Sequence, residues 1–473
     1  MAEHDTTTGK RRHDGEPLDR PPPLVEAGGN ETTATEQTWQ ALTTPARSSG
    51  RAVVVVALAL IALGGAAVGR CWIDGTAALG DNLPVGRGCQ AVNTTFWTGL
   101  GAGALLLSSL LMLSRQRWRG AIGRAFDTVA LAALLCATWH GVVALGRPAA
   151  LVELLPGFNP SGLSPNLLSP TLWNAALHIA LPAVALLWWG WGQIPDLPLW
   201  RERTGNSRRA QLQRAIARGG LGTAARWPGW RRWQPAVALL VAGCAVAAVL
   251  TSSLPQIFSA LPGWHDPLWP IHALASALAS ATAVTALTVV VARRTLQLEP
   301  LITPLHLDRL SRLLLALTLL VGYCRSVAFF TAWYSGNFDQ AVAFDGQAFG
   351  DYGWAYWTAL ACGIGLPQAF WWRAPRRQPI WIAVAASLVA GGLWLDRWVL
   401  LIAPQQHGLV GASWGGYRPS AWDIALTSGG IGLFVLLVAL LLWGVPPIAI
   451  GDLRHDLAEA AARASFADEE PTT

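Results

Sequence analysis

Charged side chains are scarce in this sequence. Only 13% of the 473 residues are Asp, Glu, Lys or Arg, whereas 52% are hydrophobic and 26 are tryptophan. Soluble domains carry roughly twice that share of charged residues, about 25%. The composition therefore excludes a set of soluble domains and predicts an all-α, polytopic membrane protein.

Metal-binding patterns are also missing. The six cysteines form no Cys-x-x-Cys pair, and no histidine lies at a metal-binding spacing, so this chain is not expected to ligate a metal or haem. Cys71 and Cys89 flank one predicted extramembrane loop and could form a disulfide or remain free thiols. Since no side chain here carries electrons, a redox role requires a partner protein with its own cofactor.

Long apolar segments make up most of the chain. A membrane-spanning helix needs about 20 apolar residues, and ten segments meet this requirement. They are 52–69, 92–113, 124–145, 172–192, 234–253, 268–292, 309–334, 351–372, 379–402 and 422–444. The polar residues 1–50 are predicted to form a disordered tail, and residues 451–473 a second, amphipathic and then acidic tail.

Arginine predicts the orientation of these helices. The connections after the second, fourth, sixth and eighth spans are rich in arginine, whereas those after the fifth and seventh contain none. Arginine-rich loops stay on the cytoplasmic side of a membrane. Both termini are therefore predicted to be cytoplasmic, and the turn Thr251–His272, with its prolines and tryptophans, lies on the outer face. This turn is predicted to be one wall of a quinone pocket.

Four polar residues stand within the spans of the first half. Asp127 lies one turn into the third span and His140 near its outer end. Asn174 and His178 are four residues apart and share one helical face. An ionised group at mid-membrane costs about 2.5 to 3.5 kcal/mol, so a polar residue within a span is expected to have a structural or functional role. Asn174 and His178 either hold neighbouring helices together or bind a ligand, and His140 either bonds a backbone carbonyl or meets a quinone.

Further residues of the spans predict packing rather than chemistry. Arg325 is expected to pair with a carboxylate, and Asp396 and Arg397 either form an ion pair or reach different neighbours. Gly99 and Gly103 form a Gly-x-x-x-Gly pattern, which in a membrane indicates close helix packing.

A quinol oxidation site needs an apolar slot, hydrogen-bond partners for both ring oxygens and a group that takes a proton. The outer ends of spans three to six supply candidates for these roles. The polar candidates are His140 as the catalytic proton acceptor, with Asn174, His178, Gln256, His265 and Arg147 as quinone-binding residues. Trp173, Trp264 and Trp269 are candidates for the walls, and Asp127 for a proton pathway.

Several motifs resemble those of a known family in one order and register. They include DNLPVGRGCQAVNTTFWTGLGAG from Asp81, SPNLLSPTLWN ending at Asn174, PGWHDPLWP, and GGLWLDRWVLLI at 391–402. With these motifs the chain resembles the NrfD/PsrC-type polysulfide reductase membrane anchors. Among them it is most similar to the first quinol-binding membrane subunit of bacterial alternative complex III.

The resemblance implies a bacterial inner-membrane subunit that binds menaquinol near the periplasmic face. Its implied partners are an iron-sulfur subunit, a multihaem cytochrome subunit and a second NrfD-type subunit. It also implies two four-helix bundles, at 92–253 and 254–402. The first helix with its outer loop then occupies 51–91, and the tenth helix 403–450.

This chain departs from the family pattern at the quinol site. Ala144 stands where relatives have histidine, Ala149 where they have tryptophan, and Asn174 and Gln256 where they have aspartate; Asp127 replaces a glutamate. Neutral amides cannot act as bases. Either His140 takes over the proton, or the chain is a quinone-inactive paralogue that stabilises its complex. A secondary transporter is a further alternative, although no span is clearly broken at matching midplane positions in the two halves.

Overall fold

The computed structural model describes residues 48–81, 88–116, 118–144, 170–196, 227–257, 268–405 and 416–451. For residues 48, 49, 170, 171, 227, 228 and 255–257 it describes the backbone alone. Within these ranges every regular element is a helix and no strand occurs. The all-α prediction is therefore confirmed. The predicted tails lie outside the described residues, apart from short stretches at their inner edges.

Eleven α-helices form the framework of these ranges. They are α1 Ser48–Asp74, α2 Gly88–Leu113, α3 Arg119–Val143, α4 Pro170–Gln193, α5 Trp227–Ile257, α6 Trp269–Thr295, α7 Pro304–Tyr334, α8 Phe338–Ala348, α9 Gly353–Leu360, α10 Pro379–Gln405 and α11 Ala421–Gly444. In addition, 3₁₀ turns at Thr76–Leu79 and Ile194–Asp196 follow α1 and α4, and Arg373–Arg377 forms one short helical turn.

Nine helices in the described part of the chain are long and apolar enough to cross a membrane: α1 to α7, α10 and α11. The eighth predicted span, 351–372, is helical but changes its winding twice. After α9 it continues as a π-helix at Ala361–Gly365 and a 3₁₀ helix at Leu366–Trp371. Tight packing accompanies the change, because a Cβ on Gly392 of α10 would lie 2.6 Å from the Gly363 nitrogen.

The long helices run alternately between two ends of the molecule. The arginine-rich end holds Arg115 to Arg124, Arg293, Arg294 and Arg373 to Arg377, and the other is called the opposite end below. Helices α2 to α5 pack against one another, α6 packs against α7 and α10, and α9 packs against α10. One core of small and branched side chains runs through both groups. The boundaries assigned to the two bundles stay a prediction.

The Gly-x-x-x-Gly pattern joins the two helix groups. A Cβ on Gly103 of α2 would overlap the carbonyl oxygen of Ala277 in α6, and one on Gly99 would lie 3.7 Å from the Ala277 Cβ. The predicted close packing is confirmed, and it brings α2 against α6. The first and last long helices pair in a similar way: a Cβ on Gly64 of α1 would lie 2.7 Å from the Gly429 Cα of α11.

A buried ionic cluster holds α6, α7 and α10 together. The Arg325 guanidinium pairs with Asp396, with Nε 2.8 Å from Oδ1, and His272 Nε2 lies 2.8 Å from Oδ2 of the same carboxylate. Arg397 instead donates to the Ala273 carbonyl oxygen at 3.1 Å. The expected carboxylate partner of Arg325 is thus confirmed, and Asp396 and Arg397 have different neighbours.

The two cysteines that were candidates for a disulfide are free thiols. Cys71 near the end of α1 and Cys89 at the start of α2 are both buried, and neither is bonded to another cysteine. Of the two alternatives, the structure contains the free thiols and not the disulfide.

Candidate functional site

His178 of α4 forms the first polar cluster, in the half of the molecule near the opposite end. Its Nδ1 lies 2.6 Å from the Asn174 carbonyl oxygen one turn earlier, and its Nε2 lies 3.2 Å from Thr98 Oγ1 of α2. Because a carbonyl oxygen can only accept, the Nδ1 carries the proton and a neutral ring offers Nε2 as an acceptor. The side chain is only partly buried.

The Thr98 hydroxyl lets both charge states of His178 keep their hydrogen bonds. Its single hydrogen has two acceptors in reach, the His178 Nε2 and the Thr94 carbonyl oxygen at 2.7 Å. When the ring is neutral, the hydroxyl donates to Nε2. When Nε2 gains a proton, it donates to Thr98 Oγ1 and the hydroxyl turns to Thr94. The arrangement can therefore take up a proton without leaving a buried polar group unpaired.

Other polar groups surround this imidazole. The Thr138 hydroxyl of α3 donates to the His178 carbonyl oxygen at 2.8 Å. The Thr94 Oγ1 is buried and has no hydrogen-bond partner among the described residues. Gly141 of α3 lies beside the ring, where a Cβ would be 3.5 Å from His178 Cδ2, an ordinary contact distance. The cluster is thus built by α2, α3 and α4 together.

His140 of α3 lies one residue before Gly141 but belongs to a second polar cluster. Its Nδ1 lies 2.9 Å from Gln90 Oε1, and Gln90 Nε2 donates to Asp423 Oδ1 at 2.7 Å. The ring is 0% exposed. Its Nε2 has no partner among the described residues and lies against Gly430 of α11, where a Cβ would overlap it. No described partner of His140 belongs to the His178 cluster.

The N-terminus of α11 completes this second cluster. Ser420 caps the helix by accepting from the Asp423 amide, at 3.2 Å, which fixes the first turn and places Asp423 against α2. The Tyr417 hydroxyl donates to the second carboxylate oxygen and accepts from the Cys89 amide at 3.0 Å. Burial raises the pKa of Tyr417 above its usual value, and the nearby Cys89 and Asp423 raise it further. This hydroxyl therefore stays protonated.

Asp127 lies in the other half of the bundle, towards the arginine-rich end. Its Oδ1 accepts from Ser108 Oγ at 2.5 Å and from Trp188 Nε1 at 2.7 Å. Its Oδ2 lies 3.8 Å from where a Cβ on Gly192 would stand. Here it borders a narrow crevice with only about 10 Å³ of space for water, whose lining also contains Arg119 and Arg124.

The crevice is bordered by the last described segment of the chain. Arg124 pairs with Asp196 and donates to the Pro446 carbonyl oxygen at 2.7 Å. Asp196 in turn accepts from the Gly451 amide at 2.8 Å. The ion pair and the two backbone contacts together hold the start of α3 and the end of α4 against the segment after α11.

Several predicted site residues cannot be compared with these clusters. Arg147, Trp264 and His265 lie outside the described residues, and for Gln256 only the backbone, at the end of α5, is described. Asn174 is partly buried and contributes its carbonyl oxygen, while Trp173 is 52% exposed. Trp269 is buried, with its ring centroid 6.2 Å from that of His272, beside the ionic cluster. The roles assigned to these residues stay predictions.

Sequence reasoning missed several partners that the structure supplies. Gln90 and Thr98 lie in a motif that carries the family resemblance but were given no role of their own, Tyr417 carries no charge, and Asp423 looks like an ordinary helix-starting residue. A signal was available for Asp423 alone, as an acidic residue in the first turn of a membrane-spanning helix. Among the described residues, no group of three or more His, Cys, Asp or Glu side chains is arranged to hold a metal ion.

Comparison with known proteins gives a family for the chain. A sequence profile of the family described as polysulphide reductase, NrfD, matches residues 83–408, more than half of the chain. The search among curated proteins gives no match. NrfD-family proteins are integral membrane subunits of electron-transfer complexes that oxidise quinol; they bind quinones and typically associate with iron-sulfur subunits. With its long apolar helices and this match, the chain belongs to the NrfD polysulphide reductase family of multi-pass membrane subunits.

Proposed function

We propose that this chain is the quinol-binding membrane subunit of a complex that resembles alternative complex III. Menaquinol binds at the opposite end of α2 to α5, which is the periplasmic side by the distribution of arginine. Oxidation of the quinol releases two electrons and two protons. The electrons pass to an iron-sulfur partner, the kind of subunit with which NrfD-family proteins typically associate, and then to a multihaem partner.

The observation that carries the proposal is the geometry at His178. Its Nε2 is the unprotonated nitrogen, and Thr98 stabilises the ring both before and after protonation. A base near a quinol hydroxyl needs both properties. Because Nε2 faces Thr98, His178 takes the first proton through that hydroxyl, which accepts a hydrogen from the quinol side and passes its own to Nε2. Asn174 and the exposed Trp173 stand on the same helix beside it. Gln256, His265, Trp264 and Arg147 are proposed as further quinone contacts.

His140 has a different place in this proposal. Because its ring is fully enclosed by Gln90 and Gly430, a quinol in the membrane does not touch it in this arrangement. We keep it as the acceptor of the second quinol proton, which reaches the ring from within the protein, behind Gly141. The alternative, a quinone-inactive paralogue, requires that neither histidine matters for turnover.

The Thr98 hydroxyl provides a direct test of the His178 geometry. Thr98→Val keeps the shape but removes the acceptor of the imidazolium Nε2–H, whereas Thr98→Ser keeps the hydroxyl. A hydrogen bond to a charged group contributes about 1.5 to 3 kcal/mol, which corresponds to about 10- to 100-fold in rate. We expect the valine variant to lose that much quinol oxidation in the purified complex and the serine variant to keep most of it. Equal rates in both variants would contradict the proton-accepting role.

Asp127 is proposed to carry protons that are taken up at the crevice and moved through the bundle, in addition to the two that the quinol releases. The downhill transfer of electrons to the partner subunits supplies the energy. One of the Asp127 carboxylate oxygens is held by Ser108 and Trp188, while the other borders the crevice at the arginine-rich end. Asp127→Asn keeps an oxygen for both donors but cannot bind and release a proton at neutral pH.

We expect Asp127→Asn to abolish proton uptake from the arginine-rich side while quinol oxidation continues. The measurement is the pH change inside and outside proteoliposomes that contain the complex, with Asp339→Asn on the exposed surface of α8 as the matched control. Proton uptake equal to that of the control would remove Asp127 from the pathway.

A further inference from the structure

The hydrogen bonds that run from α11 to His140 have a fixed direction. Asp423, 1% exposed, accepts from Gln90 Nε2 at one oxygen and from the Tyr417 hydroxyl at the other. The Tyr417 oxygen also accepts from the Cys89 amide. A carboxylate offers acceptors alone when it is ionised. Both neighbouring side chains turn a donor towards Asp423, as they would towards an ionised carboxylate.

This direction determines how Gln90 and His140 are oriented. Because Gln90 turns its NH₂ group to Asp423, its Oε1 faces His140 Nδ1 at 2.9 Å. A carbonyl oxygen accepts, so His140 Nδ1 must carry the hydrogen, and the neutral ring leaves Nε2 without one. This nitrogen has no partner within the described ranges. Asp423 thus determines, through Gln90, that Nε2 is the nitrogen of His140 that can take a proton.

We propose that Asp423 is a positioning residue of the quinol site, which acts through Gln90 to keep the proton of His140 on Nδ1 and Nε2 free. This inference rests on the proposed function, because it concerns His140, the inner proton acceptor of that proposal, and keeps its Nε2 unprotonated. The helix that carries Asp423 follows the residues matched by the family profile, 83–408. The tenth predicted span is then part of the site and not solely a flanking helix.

Nitrogen NMR on the membrane complex tests the tautomer directly. With ¹⁵N-labelled histidine, protonated and bare ring nitrogens have separate signals, and those of His140 are assigned by their loss in His140→Ala. We expect the wild-type ring to carry its proton on Nδ1. A proton on Nε2 in the wild type would overturn the proposal without any further variant.

Asp423→Asn tests the cause. An asparagine can donate to Gln90 Oε1, so Gln90 can turn its NH₂ group to His140 Nδ1 and move the ring proton to Nε2. We expect this change in the spectrum together with a roughly tenfold loss of quinol oxidation, the rate effect of about 1.4 kcal/mol, which is the size of one hydrogen bond. Ser428→Ala on the same helix is the control, because its hydroxyl bonds the Ile424 carbonyl oxygen of its own helix.

The outcomes separate this inference from the proposed function. An unchanged tautomer and unchanged turnover in Asp423→Asn, with turnover lost in a His178 variant, would overturn the role of Asp423 and leave the quinol site in place. A variant that assembles less well but keeps the Nδ1 tautomer and the rate per assembled complex would show a structural clamp, and would also overturn it.

Discussion

His178→Ala is expected to lower quinol oxidation by about 10²- to 10⁴-fold, the usual contribution of a positioned proton acceptor. The substitution removes the Nε2 that faces Thr98, and no carboxylate takes part in that cluster within the described residues. The change lies on a partly buried face of α4, so the complex should still assemble. The measurement is steady-state oxidation of a soluble menaquinol analogue by the purified complex, with the haem content of the proposed multihaem partner as the measure of assembly.

Two comparisons make this result specific. Ile179→Ala alters the next residue, whose side chain is 68% exposed, and should leave turnover unchanged. His140→Ala removes the enclosed ring, and a smaller loss than that of His178→Ala is expected because the first proton still has its acceptor. Full turnover in both histidine variants would favour the quinone-inactive paralogue.

Asp396→Asn is expected to produce the largest loss of stability. The carboxylate is the counter-ion of Arg325 and a partner of His272. The side chains of all three residues are at least nine-tenths buried. Neutralisation of Asp396 leaves the buried arginines without that charge. Removal of one partner from a buried ion pair costs about 3 to 5 kcal/mol, and the loss should appear as a lower unfolding midpoint of the purified chain in detergent.

A second ion pair on the same helix is the control. Arg312 of α7 pairs with the buried Asp308, but the Arg312 side chain is 58% exposed and Asp308 also pairs with Arg376. An ion pair with such an exposed member contributes about 0 to 1 kcal/mol. Arg312→Ala should therefore change the midpoint little. If Asp396→Asn were as stable as Arg312→Ala, the cluster would not hold α6, α7 and α10 together.

The difference between these two arginines could be anticipated from the sequence. Arg325 lies deep in an apolar segment, where an unpaired charge is too costly, while Arg312 stands one residue after Ser311 near the start of that segment. Depth along one helix therefore predicts which charge must be paired. It does not identify the partner, because Asp396 is 71 residues away along the chain.

The candidate site also has positions that the sequence predicts and partners that it does not. The sequence predicts that Asn174 and His178 share a face and that His140 lies near the end of its span, and the described helices place them so. It does not predict that His178 contacts Thr98 and that His140 contacts Gln90. Nor does it predict that these two clusters lie on different sides of α3. These pairings depend on how each helix is rotated about its axis against its neighbours, which a pattern within one helix does not contain.

By itself, the amino-acid sequence determined the all-helical membrane class, the positions of the long helices, the close packing at Gly103 and the need for a carboxylate near Arg325. These follow from local quantities: the length of apolar segments, the location of arginine and the cost of an unpaired charge in lipid. Only the tertiary structure decided that Asp423, 333 residues after Gln90, reaches it through α11, and that Gly430 encloses His140. Contacts between distant segments depend on the packing of whole helices, and the rotation that brings two polar groups together is set by all the side chains between them.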